Sequence, residues 1–123
     1  RRLSSAASDV YKRQAHNLPF VNKNGTMKEV VLKMTESRLG LALIGNEEKL
    51  EGIITDGDLR RSLLMSDDFT KIEIKDILNK SPMTAYENDN LQVAHERMKE
   101  ARLQSLVVRN NDEKIVGVIQ IFK

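Results

Sequence analysis

The 123-residue chain contains no cysteine and no tryptophan, only two prolines, and five aromatic side chains in all. Without cysteine there is no disulfide, no thiol nucleophile and no thiolate metal site. That fits a reducing compartment, and a cytoplasmic location is expected. Five aromatics provide little stacking platform for single-stranded nucleic acid. The longest nearly apolar run, "LGLALIG", is far shorter than the ~20 residues that span a bilayer, and no signal-peptide pattern opens the chain. No membrane partner is expected. Charge of one sign is scarce too: the net +2 conceals four basic residues against Asp9 in residues 1–14, leaving the remainder at −1. A chain so balanced carries no electrostatic footprint for nucleic acid, which is excluded as a partner.

What is present reads as globular. Hydrophobic residues make up 40% and charged residues 31%, without long low-complexity tracts. The length suits one domain or two very small ones, burying roughly two-thirds of the unfolded surface. In "TMKEVVLKMTESR" the residues Met27, Val30, Val31 and Met34 share a helical face behind an Asn24-Gly25 turn and a Thr26-x-x-Glu29 capping box. "GLALI", the polar turn "GNEEKLE" and "GIIT" then make a strand, turn, strand unit, and a second helix starts near Asp56 to Asp58 and runs through "LRRSLLM".

The order then repeats. "NLQVAHERMKEAR" carries Leu91, Ala94 and Met98 at helical spacing, followed by "SLVV", the turn "RNNDEK" and "IVGVIQIF". Met27 aligns with Leu91, Met34 with Met98, and "LEGIIT" with "IVGVIQ", with one extra residue in the second turn. Each copy has a proline-containing lead-in, "NLPFV" and "KSPMTA", and upstream of these Asp9-Val10-Tyr11 is similar to Asp76-Ile77-Leu78. We divide the chain into residues 1–16, a linker or artificial extension that can also open the first repeat, then 17–70 and 71–123 as the two repeats, the second without its last helix. Units of about 50 residues are marginal alone. Packing two together remedies this, and the clefts between related copies are where small-molecule sites tend to lie.

On "KDILNKSPMTA", on "GIITDGD" and on this twofold order, the chain resembles the tandem CBS domain, or Bateman module. The resemblance implies a mixed α/β (α+β) fold of two pseudo-twofold related repeats, each strand-helix-strand-strand-helix, with their sheets packed together. More narrowly, "EGIITDGDLRR" with "NLPFV" is similar to the carboxy-terminal regulatory half of arabinose 5-phosphate isomerases of the KpsF/GutQ type. Those enzymes interconvert ribulose 5-phosphate and arabinose 5-phosphate for the Kdo sugar of lipopolysaccharide or capsule. Their catalytic sugar isomerase (SIS) domain has no likeness in these residues.

The resemblance places an adenosine nucleotide on the pattern Gly-apolar-x-Thr/Ser-x-x-Asp, here ending in Thr55 and Asp58. A carboxylate accepts both hydrogen bonds of a ribose diol, and a hydroxyl suits a phosphate. Arg60 or Arg61 would add charge-assisted bonds to the phosphates, and Phe20 and Leu43 would supply an apolar slot for the base. No cofactor is required. The expected effector is AMP, ADP, ATP or a CMP-sugar, and the expected partners are the SIS domain of the parent protein and a second CBS pair in a homodimer. The second copy has Gln120 for the threonine and Lys123 for the aspartate, so no ordinary adenosine site is expected there.

Other readings compete. "TDGD" is also an ordinary turn in which Asp56 or Asp58 caps a helix. As metal ligands or phosphoryl nucleophiles, these aspartates lack a supporting P-loop, catalytic triad or EF-hand pattern, so neither catalytic nor metal-ligating residues are expected in this chain. His16 and His95 are read as solvated or capping, and Met27, Met34, Met65, Met83 and Met98 as core gap-fillers. The alternative function is an assembly module without a physiological ligand, associating through the apolar residues of "LRRSLLM".

Overall fold

The structure, a computed structural model, describes residues 10–12 and 17–121. The remaining residues of the 1–16 segment, His16 and Lys123 lie outside the described residues. Strand β1 (Val10–Lys12) is followed by β2 (Phe20–Val21), α1 (Met27–Ser37), β3 (Leu41–Gly45), β4 (Leu50–Thr55) and α2 (Asp56–Ser62). After a 3₁₀ turn, Phe69–Lys71, come α3 (Ile74–Ile77), β5 (Thr84–Tyr86), α4 (Leu91–Glu100), β6 (Ser105–Arg109) and β7 (Ile115–Ile121). Two compact units result: residues 19–82, and residues up to 18 together with 83–123.

In the first unit the sheet runs β2-β3-β4, with β2 parallel and β4 antiparallel to β3. Helix α1 starts where expected because the Thr26 hydroxyl accepts from the Glu29 N–H at 3.2 Å. The Glu29 carboxylate lies beside Gly25. Met27, Val30 and Met34 pack against Val21, Ala42, Ile44 and Ile54 of the sheet. Val31, assigned to the same face, is at its rim and partly exposed.

Helix α2 ends three residues earlier than its apolar pattern indicated. The Ser62 hydroxyl donates to the Leu59 carbonyl at 2.6 Å, the acceptor that a continuing α-helix would give to the Leu63 N–H. The chain tightens into i→i+3 bonds from Leu64 to Arg61 and from Met65 to Ser62. Leu63, Leu64 and Met65 are left exposed, so Met65 does not fill a core gap, whereas Met27, Met34 and Met98 are buried.

The second unit repeats the plan with β5 parallel to β6 and β7 antiparallel to it. Ala94 and Met98 of α4 bury against Ala85, Leu106, Val108 and Ile119. The likeness reaches fine detail. Both first helices of the copies are followed by a left-handed arginine, Arg38 at φ 59° and Arg102 at φ 57°. Both long hairpins carry a register shift, at Ile44/Gly45 and Val108/Arg109. Asn46 and Asn110 turn these hairpins by accepting backbone N–H groups on their side-chain carbonyls, and the second turn is one residue longer.

The segments upstream of the proline-containing lead-ins provide the outer neighbours of β4 and β7. Ile72 and Ile74 join the core of the first unit, and Asn79 exchanges two 3.0 Å backbone hydrogen bonds with Ile53. In the second unit β1 lies antiparallel on β7, with Tyr11 opposite Gln120. The resemblance of Val10-Tyr11 to Ile77-Leu78 therefore reflects similar places beside a last strand, while Asp9 lies outside the described residues. It also explains Gly52 of "GIIT": a Cβ there would stand 2.3 Å from the Asn79 carbonyl oxygen and 2.7 Å from Leu78 Cδ1.

Gly52→Ala is accordingly expected to lose about 1–3 kcal/mol through forced backbone movement, read from urea denaturation midpoints. A midpoint equal to wild type would show that the crossing segment yields freely. From the end of β5, the Tyr86 hydroxyl donates to Glu113 Oε1 in the β6–β7 turn at 2.6 Å, and this bond, chiefly, raises the phenol pKa above its ordinary value. The protonated phenol stabilises the fold below the unfolded-state value, and this contribution is lost as pH rises through the folded-state value. Glu113→Gln is expected to move the Tyr86 titration down towards 10.0 in ultraviolet absorbance.

Candidate functional site

The alternation of β3 and β4 sorts the candidate residues by face. Ala42, Ile44 and Ile54 point at α1, so the intervening Leu41, Leu43, Ile53 and Thr55 occupy the opposite face. Register then aligns them: Phe20 pairs with Leu43, Leu43 with Ile53, and Leu41 with Thr55. Phe20, Leu43 and Thr55 thus share one sheet surface. Leu41 and Ile53 belong to the same surface and were not singled out from sequence, although the period-2 pattern around Leu43 and Thr55 marks them. Phe20 is half-buried, whereas Leu43 has 0% exposure. Of the two apolar candidates, Phe20 is therefore the accessible one, and Leu43 is fully buried.

At the end of this face β4 turns directly into α2, and Thr55 and Asp58 close the turn on each other. The Asp58 N–H donates to Thr55 Oγ1 at 3.2 Å, and the Thr55 N–H donates to Asp58 Oδ2 at 2.9 Å. This is a reciprocal capping box. The Thr55 hydroxyl also donates to Asp58 Oδ2 at 3.0 Å, and Arg61 Nη2 approaches Asp58 Oδ1 at 2.6 Å. Both carboxylate oxygens are engaged. Arg60 is exposed and makes no ion pair among the described residues. Asp56 lies beside Gly40, whose carbonyl accepts the Asp56 N–H at 3.1 Å and whose φ of +74° favours glycine. The capping reading of "TDGD" is thus realised, with Asp58 as the reciprocal partner and Thr55 as the cap itself.

The equivalent face of the second copy differs in chemistry. Thr84 stands in register with Val107, and Ser105 with Gln120, so polar residues replace Phe20 and Leu41. Gln120 is half-buried and offers no carboxylate. Elsewhere in the first unit a cavity of about 590 Å³ is lined by residues that include Lys23, Thr26, Glu51, Glu73 and Lys75. None of the candidate ligand-binding residues Phe20, Leu43, Thr55, Asp58, Arg60 and Arg61 lines it. Among the described residues no cluster of three or more His, Asp or Glu could hold a metal ion, and no helix is long and apolar enough to cross a membrane.

The CBS domain family model matches residues 7–65 and 74–121, the two copies just described. The chain belongs to the CBS domain family. This CBS pair is 32% identical over 123 residues to the arabinose 5-phosphate isomerase KpsF of Escherichia coli, covering 99% of the chain but 37% of that protein. It is 36% identical over 104 residues to a probable arabinose 5-phosphate isomerase of Haemophilus influenzae, covering 84% of the chain and 31% of the relative. The chain thus spans about a third of the length of these curated relatives. Among solved structures, a CBS domain protein from Pyrobaculum aerophilum complexed with AMP matches with a TM-score of 0.80 at 24% identity, covering 98% of this chain and 87% of that one. CBSX2 in complex with AMP matches with a TM-score of 0.74 at 20% identity, covering 97% and 89%. Both likenesses establish the shared fold.

The capping geometry is expected to carry stability in its own right. Thr55→Val should lose about 1 kcal/mol. Because the Thr55 hydroxyl and Asp58 carboxylate bond each other, the loss in Thr55→Val/Asp58→Ala should fall short of the sum of the single losses in chemical denaturation. Strict additivity would mean that the two side chains act separately.

Proposed function

We propose that this CBS pair is the regulatory part of an arabinose 5-phosphate isomerase and holds a nucleotide at the Thr55–Asp58 end of the Phe20 face. The observation that carries the reading is the joining of a hydroxyl, a carboxylate and a guanidinium at the end of a sheet face that also bears a reachable aromatic ring. Asp58 accepts the ribose diol, Thr55 faces the phosphate, Arg60 and Arg61 add cationic contacts, and Phe20 lies against the base, with Leu43 behind it. The capping box favours this role by holding both side chains in place before ligand arrives. Two structural neighbours whose names include AMP and the relatives named as isomerases support an adenine nucleotide and an isomerase parent. ADP, ATP and a CMP-sugar belong to the same ligand class.

In this reading the pair is a sensor. Ligand preferring one arrangement of the module shifts its population and thereby biases the catalytic SIS domain of the parent protein in the cytoplasm. Isomerisation of ribulose 5-phosphate and arabinose 5-phosphate belongs to that domain. A second reading, assembly of two CBS pairs into a homodimer without ligand, is favoured by the exposed run Leu63, Leu64 and Met65, in which Leu64 is 89% exposed.

A thermal-shift titration of the chain with AMP, ADP, ATP, CMP and a CMP-sugar separates the two. Ligand at 100 times its dissociation constant should add about 2.7 kcal/mol of stability, and Asp58→Ala should abolish the rise. A flat response to all five, together with a change of oligomeric state in Leu64→Ser by sedimentation, would transfer the function to assembly.

A further inference from the structure

We infer that Arg61 sets the preference of the site for phosphorylated nucleotides over nucleosides, by occupying Asp58 until a phosphate draws its guanidinium away. This rests on the nucleotide reading above and names the selectivity of the same site. The starting point is the occupancy of Asp58. Its Oδ2 is held from within the turn by the Thr55 N–H and hydroxyl, bonds that belong to the fold. Its Oδ1 is held, among the described residues, by Arg61 at 2.6 Å.

The two sides of this ion pair differ in freedom. The Asp58 side chain is 20% exposed and anchored, whereas that of Arg61 is 70% exposed and is free to pivot at low cost. Gly57 leaves space for the pivot. A Cβ at Gly57 would lie 3.2 Å from Arg61 Nη1 and 3.7 Å from Thr55 Oγ1, so the guanidinium and the Thr55 hydroxyl flank the same side-chain-free position. A phosphate placed beside Gly57 is therefore close to a guanidinium that needs only to leave Oδ1.

A ribose diol bonding to Oδ1 competes directly with Arg61. An uncharged nucleoside would displace the guanidinium and give it nothing in return. A nucleotide instead exchanges a guanidinium–carboxylate contact for a guanidinium–phosphate contact of the same charge-assisted kind. Removing Arg61 should consequently act in opposite directions on the two ligand classes, freeing Asp58 for a nucleoside while depriving a nucleotide of its cation.

Isothermal titration calorimetry of the full chain with AMP and with adenosine tests this, on wild type, Arg61→Gln and Arg61→Lys, with thermal melts confirming that each variant is folded. In Arg61→Gln, adenosine should tighten and AMP weaken, so that the ratio of their affinities falls by about fivefold or more, on the scale of an exposed charge pair. Arg61→Lys, which keeps a charge without the planar fork, should retain part of the ratio. An unchanged ratio, or AMP weakening while adenosine stays constant, would overturn the exchange and leave the nucleotide site standing. Wild type and folded variants that bind neither AMP nor adenosine would overturn the nucleotide reading itself, and this inference with it.

Discussion

The β3–β4 ladder, buried on both faces, is the constraint on which the rest of the first unit depends. Ala42, Ile44 and Ile54 face α1 while Leu41, Leu43 and Ile53 are buried on the other side. With apolar residues required on both faces, register rather than mere burial determines which chemistry appears where. A slip of one residue would put Ile54 in place of Thr55 and turn the hydroxyl towards α1. The same register places Gly52 under the crossing backbone of Asn79 and brings Thr55 to the end of the strand facing the same way as Phe20.

From that position local and functional chemistry coincide. The strand-to-helix turn needs a cap, and Thr55 with Asp58 meets the need twice over through reciprocal bonds. The groups suited to a ribose and a phosphate are thus the groups that start α2, and the fold itself supplies their preorganisation. Capping and binding are compatible because an ionised carboxylate has about four acceptor positions. The Thr55 contacts on Oδ2 leave Oδ1 to a partner, and Arg61 holds it. Capping therefore explains the geometry of Thr55 and Asp58 and is compatible with the proposed nucleotide.

The two copies keep the same backbone devices while their exposed chemistry diverges. The left-handed arginines, the hairpin register shifts and the asparagine turns recur, since each solves a local steric problem met at the corresponding place in both copies. The opposite sheet face does not recur in the same way. Thr84, Ser105 and Gln120 replace Phe20, Leu41 and Thr55 in corresponding register positions. Framework retention beside site divergence is consistent with a pair in which one copy carries the proposed nucleotide.

Helices α1 and α4, the two hairpins and the twofold order were legible because periodicity, caps and turns are written within about four residues of one another. Thr55 and Asp58 were legible for the same reason, being three residues apart. The end of α2 was misread because apolar Leu63 to Met65 continue a helical pattern, while Ser62 redirects its hydrogen bonding at Leu59. The sequence by itself thus determined the local elements and the acidic turn. Only tertiary structure decided that residues 72–79 complete the first unit, that β1 joins β7, that Leu43 is inaccessible, and that Arg61 rather than Arg60 holds Asp58. Those outcomes depend on which distant strands lie side by side and which helix face turns towards a carboxylate, and neither is encoded in the spacing of neighbouring residues.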